Sequence, residues 1–354
     1  MPEAAISHAM PQAGEMPEDV LISVRRLKKY FPIQAGWMKK TVGHIKAIDD
    51  VSLDIRKGET FGLVGESGSG KSTVARLMLR AYDLTDGQIL FRRGNGEVID
   101  LSDLTDRQMR TMRREMQMIF QDPYSSLNPR MTLLQLVGEP MLIHGVGSQG
   151  EIRDRVAELL QVVGLRPEYI NRYPHAFSGG QRQRIGIARA LALNPSFIAA
   201  DEAVSALDVS VAAQNINLMQ DLQEKFGLTY LFITHDLGMV EHISDRVGVM
   251  YLGRLMETAP TDQLFAKPLH PYTEALMAAV PQPDPRGNRT RKRVPLKGEI
   301  ANAANPPKGC TFHPRCPYAQ PVCGTDEPAL RAVAGGRQVR CHFAEELTLT
   351  GVTT

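Results

Sequence analysis

The stretch Gly65-Glu66-Ser67-Gly68-Ser69-Gly70-Lys71-Ser72 decides the reading of this chain. It fits G-x-x-x-x-G-K-[ST] and stands between a run of strand formers, Phe61 to Val64, and a run with helical spacing, Lys71 to Tyr82. The glycines let successive main-chain N–H groups turn inward, and the start of the following helix adds a partial positive charge, so the loop is built to hold phosphate groups. Gly65, Ser67, Gly68, Ser69, Gly70, Lys71, Ser72 and Thr73 are the expected nucleotide contacts. Lys71 should reach the β and γ phosphates of a nucleoside triphosphate, with the Ser72 hydroxyl on Mg²⁺.

Outward from this loop, short β-rich runs alternate with helical ones. Val51 to Ile55, Met116 to Phe120, Phe197 to Ala200, Tyr230 to Thr234 and Val247 to Tyr251 read as strands. The pattern predicts an α/β fold with a mostly parallel sheet flanked by helices. Between Gln121 and Ser178 the chain turns helical, with apolar spacing typified by Val156, Leu159, Leu160 and Val163. This insertion predicts an all-α subdomain over about 121–180. No internal repeat is found, so one nucleotide cassette is expected.

Phe197-Ile198-Ala199-Ala200-Asp201-Glu202 is a buried-strand pattern ending in two carboxylates. Beside a phosphate loop, Asp201 is expected to hold Mg²⁺ and Glu202 to act as general base on the attacking water. Farther back, Phe177-Ser178-Gly179-Gly180-Gln181-Arg182-Gln183-Arg184 offers a second helix start suited to an anion. Ser178 is a good N-cap, and the two glycines permit close backbone approach.

That last string resembles the ABC signature, whose usual form begins Leu-Ser-Gly-Gly-Gln. The chain is thereby identified as a member of the ABC ATPases, an ABC-type P-loop core with a helical subdomain. The resemblance implies that Ser178, Gly179, Gly180 and Gln181 face the phosphate loop of a second cassette, with ATP between two protomers. It assigns Gln121 to the loop that senses Mg²⁺ and transmits to a permease. It also assigns Ser205-Ala206-Leu207-Asp208 to a contact with the other protomer, and His235 to the γ-phosphate. Catalytic duty then falls on Glu202, His235, Gln121 and Lys71, and Mg²⁺ on Ser72, Gln121 and Asp201. An aromatic residue should stack on adenine; the pattern Leu27-x-x-x-Phe31 favours Phe31 over Tyr30. The family's usual Pro after the acidic pair is Ala203 here, which is expected to loosen the loop carrying the base.

Gln121-Asp122-Pro123-Tyr124-Ser125-Ser126-Leu127-Asn128-Pro129 and His270-Pro271-Tyr272-Thr273 resemble the dipeptide/oligopeptide importer ATPases, nearer the F-type than the D-type subunit. Asn305-Pro306-Pro307-Lys308-Gly309-Cys310-Thr311-Phe312-His313-Pro314-Arg315-Cys316-Pro317 resembles their C-terminal extension. The resemblance implies a D-type ATPase partner, two transmembrane permease subunits and an extracytoplasmic substrate-binding protein. The expected domains are a disordered N-terminus over 1–19, an ABC ATPase domain over 20–265, and the C-terminal extension over 266–354. The extension carries a small cysteine-rich module at about 305–343.

All four cysteines, Cys310, Cys316, Cys323 and Cys341, lie in that module. In a reducing compartment such clustering favours ligation over disulfides. The spacing lacks the C-x₂₋₄-C pair of short zinc sites, and four thiolates suit Zn²⁺ or an iron–sulfur cluster; spacing leaves both open. The resemblance implies a [4Fe–4S] cluster, with zinc as the alternative, and leaves His313 and His342 as supporting rather than ligating residues.

Composition sets the outer limits. The 354 residues are 43% hydrophobic and 23% charged, enough for one large domain with additions. With 41 basic and 39 acidic residues the net charge is +2, so no global field selects nucleic acid, and none is expected as a partner. A local excess, Arg286, Arg289, Arg291, Lys292 and Arg293, reads as a solvated linker. No window approaches the ~18 uninterrupted apolar residues of a membrane helix. A peripheral place on the cytoplasmic face of the inner membrane, held through partners, is the expectation.

Overall fold

The structure, a computed structural model, describes residues 16–37, 39–122, 126–279, 298 and 301–352. Most of the expected disordered N-terminus, the string Pro123-Tyr124-Ser125 and the basic linker 286–293 lie outside the described residues.

Two sheets frame the molecule. A four-stranded antiparallel sheet is built from β1 (Val20–Ala35), β2 (Lys40–Arg56), β4 (Asp86–Arg92) and β5 (Val98–Asp100), in the order β2-β1-β4-β5. The second sheet has eight strands: β3 (Thr60–Val64), β6 (Met116–Ile119), β7 (Phe197–Asp201), β8 (Thr229–Ile233), β9 (Arg246–Tyr251), β10 (Arg254–Pro260), β11 (Arg331–Val333) and β12 (Arg337–Val339). Their order is β11-β12-β10-β9-β3-β8-β7-β6. Pairings from β9 through β6 are parallel; β10, β12 and β11 add antiparallel at one edge.

The parallel centre follows from sequence. Its strands are apolar at nearly every position, which suits burial on both faces. Along β8, Leu231 and Ile233 join one core, with β1, β2, the helix after the phosphate loop and Met109 and Met112, while Tyr230 and Phe232 join the other, with most of the remaining helices. β7 divides the same way, Phe197 and Ala199 against Ile198 and Ala200. Period-2 alternation thus places two cores on opposite faces of one sheet.

The helices are α1 (Lys71–Met78), α2 (Asp106–Met112), α3 (Leu133–His144), α4 (Gln149–Val162), α5 (Gly179–Leu191), α6 (Val209–Phe226), α7 (Leu237–Ile243), α8 (Thr261–Ala266) and α9 (Pro271–Ala279). α3 and α4 fill the helical insertion, each opened by a capping box, Thr132 with Gln135 and Ser148 with Glu151. α1 stops four residues short of Tyr82, because Arg80 takes a left-handed backbone (φ 49°) that no helix continues through. The sequence reading missed the antiparallel sheet as a separate layer and missed that the C-terminal extension supplies β11 and β12 to the main sheet.

That extension is docked rather than appended. Phe312 is fully buried among Tyr251, Tyr272 and His270, with ring centroids 5.4, 5.3 and 5.7 Å away. Arg337 pairs with buried Glu257 at 2.8 Å, and Arg340 reaches Asp50 at 3.2 Å. Among the described residues, no helix is long and apolar enough to cross a membrane.

Candidate nucleotide site

Three parallel strands aim their C-terminal ends at one cleft of about 560 Å³. β3 delivers the phosphate loop, β7 delivers Asp201 and Glu202, and β8 leads to His235. The loop takes its shape from glycine: Gly65, Gly68 and Gly70 have φ of 154°, 78° and 104°. Gly65 could be nothing else, since a Cβ there would stand 2.2 Å from the Met250 carbonyl oxygen.

Lys71 is buried, its Nζ donating to Gly65 O at 2.7 Å and Glu66 O at 3.0 Å. Burial holds its pKa below the usual lysine range, opposed by the carboxylates of Glu202 and Asp201. The Ser72 hydroxyl donates to Asp201 Oδ1 at 2.6 Å across the strand end. Burial, the largest influence on Asp201, raises its pKa despite that hydrogen bond. A hydroxyl and a buried carboxylate joined in this way are suited donors for a hard cation such as Mg²⁺.

Glu202 is the hub. Gln121 Nε2 donates to its Oε2 at 2.8 Å, and His235 Nδ1 lies 3.4 Å from the same oxygen. Its backbone is left-handed, φ 48°, an unusual state for a residue with a side chain and one that clusters at functional sites. Ala203 follows it in a hydrogen-bonded turn. Glu202 N–H donates to Ile233 O at 2.9 Å, its carbonyl accepts from Ser205 N (3.1 Å) and Oγ (2.9 Å), and Ala203 is 2% exposed.

The cleft wall holds Ser67, Gly68, Gly70, Lys71, Ser72, Thr73, Gln121, Glu202 and His235, with Ile45, Ala47 and Ala303 on the other side. Phe31 is not on it. Its ring packs edge-on against Tyr82 at 5.7 Å, with Lys29 over its face at 5.0 Å. It lies directly opposite Ile45 in the β1–β2 register, one strand from the cleft. Tyr30 is also elsewhere, donating to Asp49 Oδ1 at 2.6 Å. Among the described residues no aromatic side chain lines the cleft; its apolar lining is Ile45, Ala47 and Ala303.

Ser178 caps α5 as expected, accepting from Gln181 N–H at 3.4 Å while Gln181 Oε1 accepts from Ser178 N–H at 3.1 Å. Gly180 is required by packing, because a Cβ would fall 2.3 Å from Val211 Cγ1. Ser178, Gly179, Gly180 and Gln181 are absent from this chain's own cleft. Ser178 is exposed, so the helix start is open to another molecule.

The sequence reading missed five contributors: Ile45, Ala47, Ala303, Tyr272 and Arg315. The Glu66 N–H donates to Tyr272 Oη at 2.9 Å, and the Glu66 carboxylate takes Arg315 at 2.7 and 3.0 Å. These partners are 206 and 249 residues away in sequence, and no local signal marks them.

A phosphate loop on β3, a buried lysine, a serine joined to a strand-end aspartate and an adjoining glutamate define a P-loop ATPase. Comparison with known proteins narrows the class. Residues 48–205 match the ABC transporter family, and residues 256–323 match the oligopeptide/dipeptide transporter C-terminal region. The chain is 54% identical over 327 residues to the oligopeptide transport ATP-binding protein AppF of Bacillus subtilis, covering 92% of this chain and 98% of that one. It is 53% identical over 324 residues to a probable peptide ABC transporter ATP-binding protein, y4tS, of Sinorhizobium fredii, covering 92% and 90%. Among solved structures, the dimeric cassette MJ0796 bound to ADP and Pi matches with TM-score 0.59 at 30% identity, over 68% of this chain and 99% of that one. The chain belongs to the ABC transporter ATP-binding proteins, in their oligopeptide/dipeptide branch. It is an ATPase coupled to transport.

Proposed function

We propose that this chain is the ATP-hydrolysing subunit of a peptide importer, working on the cytoplasmic face of the cell membrane beside two permease subunits. The observation that carries the reading is the meeting of Lys71, Ser72, Gln121, Glu202 and His235 in one cleft, on a chain whose C-terminal region matches that of oligopeptide/dipeptide transporters.

The mechanism follows from the side chains. Lys71 now spends its ammonium on two carbonyls of its own loop; with ATP bound, it exchanges them for β- and γ-phosphate oxygens, helped by the inward amides. Ser72, Asp201 and Gln121 would hold Mg²⁺, which when bound neutralises charge between the β and γ phosphates. Glu202, released from Gln121 and His235, accepts a proton from the attacking water. His235 turns to the γ-phosphate. Ser178, Gly179, Gly180 and Gln181, absent from their own cleft, close on the ATP of a second cassette, which we take to be a D-type subunit. An extracytoplasmic binding protein delivers the cargo.

A groove of about 500 Å³ between the sheet and the helical region accepts the permease. It is lined by Arg76, Tyr82, Phe120, Glu139, Ile143 and Arg189, among others. Phe120 and Ile143 are half exposed there, an apolar patch that a partner would cover.

We read the four cysteines as holding an iron–sulfur cluster, with zinc as the alternative. All four line one small cavity, and none is in a disulfide. Yet no three metal-ligating side chains converge on a single-ion site among the described residues. Three sulfurs already accept main-chain N–H groups two residues on: Cys310 from Phe312, Cys316 from Tyr318 and Cys341 from Phe343. Such donors stabilise thiolate or cluster sulfur. Burial pushes the Cys316 thiol up to about 12 and Cys341 up to about 11, so an unligated thiolate there would be unstable. His313 donates to Cys310 O at 2.9 Å and supports rather than ligates.

The test is capture of the chain from native membranes in mild detergent, without oxygen, with mass identification and iron and zinc assays. Two multi-spanning proteins, a second ATPase and about four irons per chain support the reading. A chain recovered alone, or with ribosomes or DNA, overturns the transport assignment.

A further inference from the structure

We propose that Arg315 and Tyr272, both supplied by the C-terminal region, are positioning residues of the phosphate loop. The nucleotide site then takes its binding shape only while the cysteine-bearing segment is seated. The inference rests on the reading that residues 65–72 bind ATP.

Glu66 is the second residue of that loop, and each of its polar groups is engaged. Its carboxylate takes both Nη atoms of Arg315 at 2.7 and 3.0 Å, its N–H donates to Tyr272 Oη at 2.9 Å, and its carbonyl accepts from Lys71 Nζ at 3.0 Å. Two of these three partners come from the C-terminal region and the third is the lysine expected on the phosphates. An anionic side chain beside a phosphate site repels its ligand unless it is neutralised. Arg315 does this with a bidentate pair, the geometry that fixes position as well as charge.

The position of Arg315 is set in turn by the cysteine module. It ends a 3₁₀ turn, His313–Arg315, between Cys310 and Cys316. Its side chain is 6% exposed, and its Nε has no partner among the described residues, so the guanidinium is held there by Glu66 and, more weakly, Tyr251 Oη at 3.5 Å. A buried arginine with one orphan donor is costly to keep unless its ion pair is intact. Phe312, three residues earlier, locks the turn into the aromatic cluster that also holds Tyr272. Movement of the thiol-lined segment therefore withdraws Arg315 from Glu66 and removes Phe312 from the ring of Tyr272.

Two measurements on the purified full chain test this. The first is MgATP affinity in Arg315→Leu, Arg315→Lys, Glu66→Gln and the Glu66→Gln/Arg315→Leu pair, at a temperature where all are folded. Arg315→Leu should weaken MgATP about tenfold, one bidentate pair's worth. Lysine should restore part of that, and the double variant should bind better than Arg315→Leu, because the unneutralised carboxylate is gone. The second is amide hydrogen exchange across 310–316. Coupling is reciprocal, so MgATP should slow exchange there in wild type and not in Arg315→Leu.

A purely structural role for Arg315 lowers the melting temperature and leaves both readouts alone. Affinity within about twofold of wild type, together with exchange indifferent to MgATP, overturns the inference. Should Arg315→Leu not fold, Tyr272→Phe keeps the packing and removes one hydroxyl, and a loss of about threefold is expected; no loss overturns it. Wild type that fails to bind MgATP overturns the nucleotide-site reading itself.

Discussion

His270 couples the C-terminal region to pH. The ring is fully buried, with Nδ1 accepting from Tyr272 N–H at 3.0 Å, while the ring is also hydrogen-bonded to the main chain of Arg340. Both nitrogens are satisfied only in the neutral form, since protonating Nδ1 destroys the first bond. Burial, the chief cause, lowers its pKa to about 3. In the unfolded chain imidazole titrates near ~6.5, so as pH falls the unfolded state takes up the proton first. His270 therefore contributes stability that is whole above about pH 6.5 and is lost as pH drops toward 3. Between pH 7 and pH 5 the loss is about 2 kcal/mol, at about 1.36 kcal/mol per unit of pKa difference. The perturbation is His270→Gln, which cannot titrate. Urea unfolding followed by circular dichroism at pH 7, 6 and 5 gives the slope for each protein. Wild type should lose about 2 kcal/mol more than the variant across this range, whatever their stabilities at pH 7. Parallel curves would refute the assignment, showing that the ring is protonated or hydrated in the fold.

Three further outcomes follow from the site. Glu202→Gln in the assembled transporter should cut ATP hydrolysis by about 10²–10⁴-fold while MgATP binding persists; a rate near wild type would mean this half-site mainly binds ATP. Gly180→Ala should lower stability by about 1–3 kcal/mol, because its Cβ would meet Val211 Cγ1 at 2.3 Å. Val211→Ala should recover most of that in thermal melts, and no recovery would remove the clash as the cause. Serine in place of Cys310, Cys316, Cys323 or Cys341 should abolish iron retention singly; retention in all four variants would end the cluster reading.

What the sequence determined by itself was local. The phosphate loop, the strand-end pair Asp201 and Glu202, and the Ser178 cap are legible because each is a short run whose backbone shape and chemistry are set by its own residues. Glycines at Gly65, Gly68 and Gly70 permit positive φ, serine caps a helix, and apolar runs fill a two-faced sheet. The order of these motifs and their resemblance to a family gave the cassette and its branch.

The tertiary structure decided what lies between distant segments. It placed Phe31 against Tyr82 rather than in the cleft, where the pattern Leu27-x-x-x-Phe31 pointed. It built the opposite wall from Ile45, Ala47 and Ala303, and joined β12 to β10. It also brought Arg315 across 249 residues to Glu66. None of these contacts leaves a periodic or spaced trace, because each depends on which surfaces pack once the sheet has formed. Burial of Phe312 and the cost of an unpaired buried arginine select those partners, and both forces exist only in the folded chain.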